Sequence, residues 1–192
     1  MALVMLVAAP LVHERLTETA GAETTERVRL APPASAPDAV VAEAWRERVR
    51  EAHIAAAVEE FRAYRLTPEM AGVIYDAAVV YDIDPEIAFG LVRAESSFRN
   101  AATSRVGAVG ITQLMPRTAR WMQPGVSNSA LRDPSVNADI GFRYLRYLLD
   151  KYDGDERLAL LAYNRGPGTV DRILRRGGNP DNGYVRMVRR SG

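Results

Sequence analysis

One carboxylate stands apart among the side chains that could do chemistry. Glu95 lies near the end of the stretch Asp84-Pro85-Glu86-Ile87-Ala88-Phe89-Gly90-Leu91-Val92-Arg93-Ala94-Glu95-Ser96-Ser97-Phe98. That stretch reads as a short helix. Asp84 suits the N-cap, Pro85 the first helical position, and Glu86 places negative charge at the positive end of the dipole. At about 100° per residue, Ile87, Ala88, Leu91 and Val92 spread over roughly 140° of one face. Glu95 falls inside that arc, and Arg93 and Ser96 fall outside it. A carboxyl group on an apolar face, near the negative end of a helix, is disfavoured as an anion on both counts. Its pKa rises, and a general acid results. Position alone leaves a second reading open: a partly exposed glutamate on a wide helix, or one paired to an arginine.

Other chemistries find little support. There is no cysteine, so disulfides, thiolate nucleophiles and Cys-ligated zinc are excluded. His13 and His53 have no companion at metal spacing, and neither lies in the body to activate Ser96 or Ser97. The glycines of Gly107-Ala108-Val109-Gly110 and Gly166-Pro167-Gly168 lack the Lys-Ser/Thr of a phosphate loop. No metal or cofactor is expected. Net charge is +1, and Arg172, Arg175 and Arg176 read as a solvated face, so no nucleic-acid partner is expected. What is left is acid–base work by carboxylates. Glycoside cleavage commonly uses two. Glu95 is the only glutamate between Glu86 and Glu156, and Asp84, Asp133 and Asp155 sit where helix capping explains them. A one-carboxylate mechanism needs the substrate to supply the second group.

The elements that must position these residues read as helices throughout. Thr67-Pro68-Glu69 opens one in which Met70, Val73, Ile74, Ala77 and Tyr81 fall at helical spacing. After the Glu95 helix, residues 100–110 read as a loop, and Gln113 to Met122 as a short helical piece broken by Pro116. Asp133-Pro134 starts the longest helix of the body. Helices over Leu158–Asn164, Thr169–Arg176 and Tyr184–Arg190 follow, the first stopped at Gly166. No segment alternates with period two, so the fold class is all-α. Residues 1–22 carry an apolar run, Ala2 to Val12, suited to a signal peptide or membrane anchor. Residues 23–38 read as a flexible linker, and 39–64 as a charged accessory helix with a stripe of Val41, Trp45, Val49, Ala52 and Ala56. Residues 65–192 form the catalytic domain.

Three blocks then carry a resemblance. Glu95-Ser96-Ser97-Phe98, Gly107-Ala108-Val109-Gly110-Ile111-Thr112-Gln113-Leu114-Met115-Pro116 and Ala162-Tyr163-Asn164-Arg165-Gly166-Pro167-Gly168 occur in this order. Together they resemble the signature blocks of the soluble-type lytic transglycosylases, which share the goose-lysozyme-like fold. Asp133 to Leu145 and Tyr184-Val185 are similar to that family as well. The resemblance implies a lysozyme-like multi-helix domain acting on peptidoglycan glycan strands. It implies that Glu95 is the single catalytic acid, which then serves as base for the muramic acid 6-hydroxyl. The product implied is a 1,6-anhydromuramic end. Ser104, Gln113 and Met115 match positions lining the sugar groove. Tyr163 and Asn164 match the pair facing the acid, and Tyr184 a tyrosine near the same site. On that basis Tyr163 and Tyr184 are expected to hold Glu95 by hydrogen bonds.

Two departures stand out. Ile111-Thr112 replaces the usual Leu-Met, which is expected to remove an apolar side chain near the groove. Arg165 replaces a small residue, and is expected either to reach a peptide carboxylate or to face solvent. The substrate implies export to the periplasm or cell envelope, membrane association through the N-terminal run, and a monomer. A hydrolytic muramidase and a non-cleaving peptidoglycan-binding protein are the alternatives.

Overall fold

A computed structural model describes residues 39–190 of the chain. The expected export segment (1–22) and linker (23–38) lie outside the described residues, and the helices run in the order α1 (Ala39–Glu60), α2 (Pro68–Val80), α3 (Pro85–Ser96), α4 (Pro116–Met122), α5 (Pro134–Lys151), α6 (Glu156–Arg165), α7 (Pro167–Arg175) and α8 (Tyr184–Arg189). No strand occurs among the described residues. Two isolated bridges, Thr103 to Val109 and Val109 to Leu114, fold the loop between α3 and α4 back on itself.

Local chemistry starts most of these helices. Thr67 Oγ1 accepts the Met70 N–H at 3.3 Å, and Asp84 Oδ1 accepts the Glu86 N–H at 2.8 Å. Asp133 Oδ1 accepts from Ser135 and Val136, and Asp155 Oδ1 from Leu158. Each cap contributes about 1 kcal/mol. Proline opens α2, α3, α4, α5 and α7. Pro116 therefore starts α4 rather than breaking a longer helix, and Gln113 lies in the turn before it. The missing N–H of proline costs nothing at a helix start. The same reason places the start of α7 at Pro167 and not at Thr169.

The core runs between α2, α3, α5 and α6, with Ile74, Leu91, Phe142, Leu145 and Leu160 buried in it. The face of α1 that packs is not the expected one. Val41, Ala52 and Ala56 are exposed, and Trp45 and Val49 only half-buried. Ala57 and Phe61 are buried instead, with Ile54 and Val58 packed beside them. Phe61 sits 5.2 Å from the Phe98 ring and 6.3 Å from Phe89. Small alanines in a charged helix leave its periodicity ambiguous, and the large side chains decided the face. Arg50 clamps α1 to Asp76 of α2 with bonds of 2.6 and 2.8 Å. Asp76 is exposed, so this pair contributes at most about 1 kcal/mol.

One polar residue organises the loop before α4. Asn137 is fully buried on α5. Its Oδ1 accepts the Thr112 N–H (2.9 Å) and hydroxyl (2.8 Å), and its Nδ2 donates to the carbonyls of Val109 (3.0 Å) and Leu131 (2.9 Å). Gly110 makes room for it. A Cβ there would lie 2.1 Å from Asn137 Nδ2, and its φ of 81° is one that glycine adopts freely. Asn137→Ala strands several buried backbone groups at once. The expected loss is about 3 kcal/mol of folding free energy, read from chemical denaturation. An unchanged denaturation midpoint counts against this account.

Candidate active site

Glu95 closes α3. Its helix stops two residues later, where Ser97 and Phe98 take positive φ values of 53° and 60°. Such conformations cost a non-glycine residue about 1 kcal/mol each. Burial of the Phe98 ring against Phe61 offsets this, since a buried aromatic contributes roughly 2–3 kcal/mol. The chain thus turns sharply away and leaves the Glu95 carboxyl at a helix end.

Facing it is α8. The two helices meet at Gly90, where a Cβ would lie 2.1 Å from the Val188 carbonyl oxygen. That approach brings Tyr184, at the first position of α8, onto Glu95. The Tyr184 hydroxyl donates to Glu95 Oε1 at 2.5 Å. Arg93, one turn away, donates to the Met187 carbonyl and ties the same pair of helices. Burial pushes the Glu95 carboxyl above the usual carboxylate range, and the Tyr184 hydrogen bond opposes part of that rise. No second carboxylate is among the causes. Tyr184 and Tyr163 are both held well above the ordinary phenol range, first by burial and then by the Glu95 charge. The three groups are therefore mutual neighbours.

Tyr163 does not bond to Glu95 as expected. Its hydroxyl donates to the Thr112 carbonyl at 2.9 Å. It lines a cavity of about 280 Å³ with Gln113, Met115, Thr118, Tyr144, Asn164 and Arg165. Glu95 is not in the lining of this cavity, although its charge reaches Tyr163. Gln113 holds a left-handed backbone (φ 48°), and its amide nitrogen donates to the carbonyls of Gly110 (2.9 Å) and Ala102 (3.3 Å). Both bonds use Nε2, which leaves Oε1 as the acceptor for a ligand. Met115 is exposed at the head of α4, and Asn164 Oδ1 accepts from Asn182. Four of the expected groove residues are thus gathered at one cavity. Ser104 is not among its lining. It closes its own loop, with Oγ accepting the Ala108 N–H at 2.9 Å. A larger groove of about 710 Å³, bordered by His53, Asp82 and Glu156, carries none of the expected site residues.

Both departures in the sequence have local explanations. The Thr112 side chain is buried against Asn137, and a Cβ on Gly141 would lie 2.4 Å from its hydroxyl. It points into the core and takes nothing from the groove. Arg165 is half-buried in the cavity lining, and one guanidinium nitrogen donates to the Pro180 carbonyl at 2.7 Å. Asn137 and Gly90 help position the site with no role expected from the sequence, and Thr112 stood out there only as a departure from the family pattern. A buried asparagine at the start of an amphipathic helix was the one available signal.

A family model described as the transglycosylase SLT domain matches residues 72–184. The chain belongs to this family. The SLT match takes in every expected site residue. Among curated relatives, the transglycosylase of Enterobacteria phage PRD1 is 46% identical over 90 residues, covering 47% of this chain and 32% of the relative. The membrane-bound lytic murein transglycosylase C of Histophilus somni (strain 2336) is 36% identical over 127 residues, covering 59% of this chain and 34% of the relative. The SLT chain therefore spans about a third of the length of these relatives. Two solved structures are similar. An inactive mutant of the lytic transglycosylase Slt from Pseudomonas aeruginosa aligns with a TM-score of 0.54 and 30% identity, covering 61% of this chain and 22% of that one. The 70 kDa soluble lytic transglycosylase of Escherichia coli gives 0.52 and 26%, covering 69% and 26%. The all-α, lysozyme-like expectation for this SLT domain is met.

The Glu95–Tyr184 bond has a sign that can be measured. Tyr184→Phe removes the donor that favours the carboxylate, so Glu95 should titrate at a higher pH than in the parent protein. Carboxyl NMR resonances report this directly, and a downward movement contradicts the assignment. Stability follows the same linkage. A carboxyl whose folded pKa is raised costs stability as pH climbs from the unfolded value of about 4.3 through the folded one. Glu95→Gln should thus unfold at a higher urea concentration than the parent at neutral pH, with the gap closing below pH ~4.

Proposed function

We propose that this chain is a peptidoglycan lytic transglycosylase. It cleaves the β-1,4 bond between N-acetylmuramic acid and N-acetylglucosamine and leaves 1,6-anhydromuramic ends. The observation that carries this reading is a single part-buried carboxyl group, raised in pKa by burial and held by a tyrosine hydroxyl, with no second carboxylate contributing to its environment. The relatives named as lytic murein transglycosylases support the same substrate class. A Pseudomonas relative is described as inactive when a glutamate is replaced by glutamine, in keeping with one essential acid.

Protonated Glu95 gives its proton to the glycosidic oxygen as the C1–O bond breaks. The 6-hydroxyl oxygen of the same muramic acid then attacks C1. The proton leaving that hydroxyl passes to the Glu95 carboxylate, and the acid is restored. No water is consumed. Burial serves the first half, because it keeps the proton on Glu95 at higher pH. Tyr184 serves the second, because its O–H stabilises the carboxylate formed between the two transfers. Tyr163 closes one side of the carboxyl. Gln113 and Asn164 can read amide and hydroxyl groups of the sugars. We place the enzyme in the cell envelope, where its substrate lies. Among the described residues no helix is long and apolar enough to cross a membrane.

Digestion of purified sacculi tests this. Mass spectrometry should find anhydromuramic ends, and Glu95→Gln should lower the rate by at least about 100-fold. Turnover should fall as pH rises through the raised pKa of Glu95, since the acid must enter the cycle protonated. Reducing ends alone would assign the chain to hydrolytic muramidases. A rate unchanged by Glu95→Gln would assign it to binding without cleavage.

A further inference from the structure

Tyr144 joins the cavity to a second group of rings. Its ring is buried, lines the cavity, and lies 5.4 Å from Tyr163. It also lies 6.3 Å from both Tyr147 and Trp121. Those two rings are open to solvent, Trp121 at 57% exposure and Tyr147 at 38%. They meet edge to face at 4.8 Å, with planes 83° apart. An open corner results, with one ring as floor and the other as wall. Trp121 follows Thr118 by three residues on α4, so the two share a side of that helix, and Thr118 lines the cavity. Neither Trp121 nor Tyr147 uses its polar end in a hydrogen bond among the described residues.

Single exposed aromatics need no explanation. Two that form a corner, and continue without a break into the lining of a candidate active site, are a different case. An aromatic face offers a flat apolar surface edged by one polar group. That matches a pyranose, whose C–H faces are apolar and whose edge carries hydroxyl and amide groups. The free indole N–H can donate to such an edge. We infer that Trp121 and Tyr147 form a further sugar-stacking subsite, which holds an N-acetylhexosamine of the same glycan strand beyond the cavity beside Glu95. This inference rests on the glycan reading of the site. It assigns to α4 and α5 the task of keeping the strand seated while the bond at Glu95 is worked on.

The test uses the full chain carrying Glu95→Gln and a hexamer of N-acetylglucosamine. The chain has two tryptophans, Trp45 and Trp121. Trp45→Phe therefore leaves Trp121 as the reporter, and its emission should shift on adding the hexamer. By calorimetry, Trp121→Ala and Tyr147→Ala should each weaken hexamer binding roughly 3- to 10-fold. Trp121→Phe should recover most of that loss, which a general destabilisation would not allow. With Glu95 restored, the alanine variants should raise KM on solubilised glycan and leave kcat near the parent value. Hexamer affinity unchanged in both alanine variants overturns the subsite, and so does a Glu95→Gln chain that binds no hexamer. A Trp121 signal that tracks protein concentration instead of the hexamer assigns the corner to self-association and also overturns it. The activity is judged separately: a parent chain that releases anhydromuramic ends from sacculi keeps the proposed function even where the subsite fails.

Discussion

Two helices can share a side-chain hydrogen bond of 2.5 Å only if their backbones come close, and the approach of α8 to α3 at Gly90 sets that separation. With any side chain at Gly90, the Val188 carbonyl must move, and Tyr184 moves with it. The Glu95 carboxyl then loses the placement of its donor. Its pKa is a balance between burial and that donor, and the donor comes from this packing contact. The Glu95–Tyr184 pairing thus depends on a residue with no side chain, five positions before Glu95.

A second constraint acts from the opposite direction in sequence. The loop from 99 to 115 has little regular structure, yet it must present Gln113 and Met115 at the cavity. Asn137 fixes it by satisfying backbone groups at Thr112, Val109 and Leu131. The Tyr163 hydroxyl adds a bond to the Thr112 carbonyl from α6. Thr112 is therefore gripped from two helices, at its N–H, hydroxyl and carbonyl. A residue that departs from the family pattern has become a junction in the core, beside a glycine at 141 that leaves space for it.

The legible parts of the fold are those governed by short range. Caps at Thr67, Asp84, Asp133 and Asp155 act over two or three residues, so the helix starts could be read directly. Glu95 could be placed on an apolar arc for the same reason. The partners of Glu95 could not, since Tyr184 lies 89 positions away, and only the family resemblance pointed to it. The expected Tyr163–Glu95 bond failed on the same ground. A phenol with several acceptors in reach chooses by three-dimensional geometry, and the Thr112 carbonyl won. On α1 the expected stripe ended in Ala52 and Ala56, and there the neighbouring Ile54, Ala57, Val58 and Phe61 pack instead. Ser104 and Arg165 each also bond a nearby backbone group, which no short-range pattern announces.

The separation between Glu95 and Tyr184 also orders events during synthesis. A nascent chain made only as far as α7 has Glu95, the Gln113 loop and Tyr163, but lacks the Tyr184 hydroxyl. Its carboxyl then lacks the hydrogen bond that opposes part of the effect of burial. The Glu95–Tyr184 pair forms only when α8 docks at Gly90. A protein whose proposed substrate is the wall of a living cell thus completes the surroundings of Glu95 late, as a product of folding and not of any single segment.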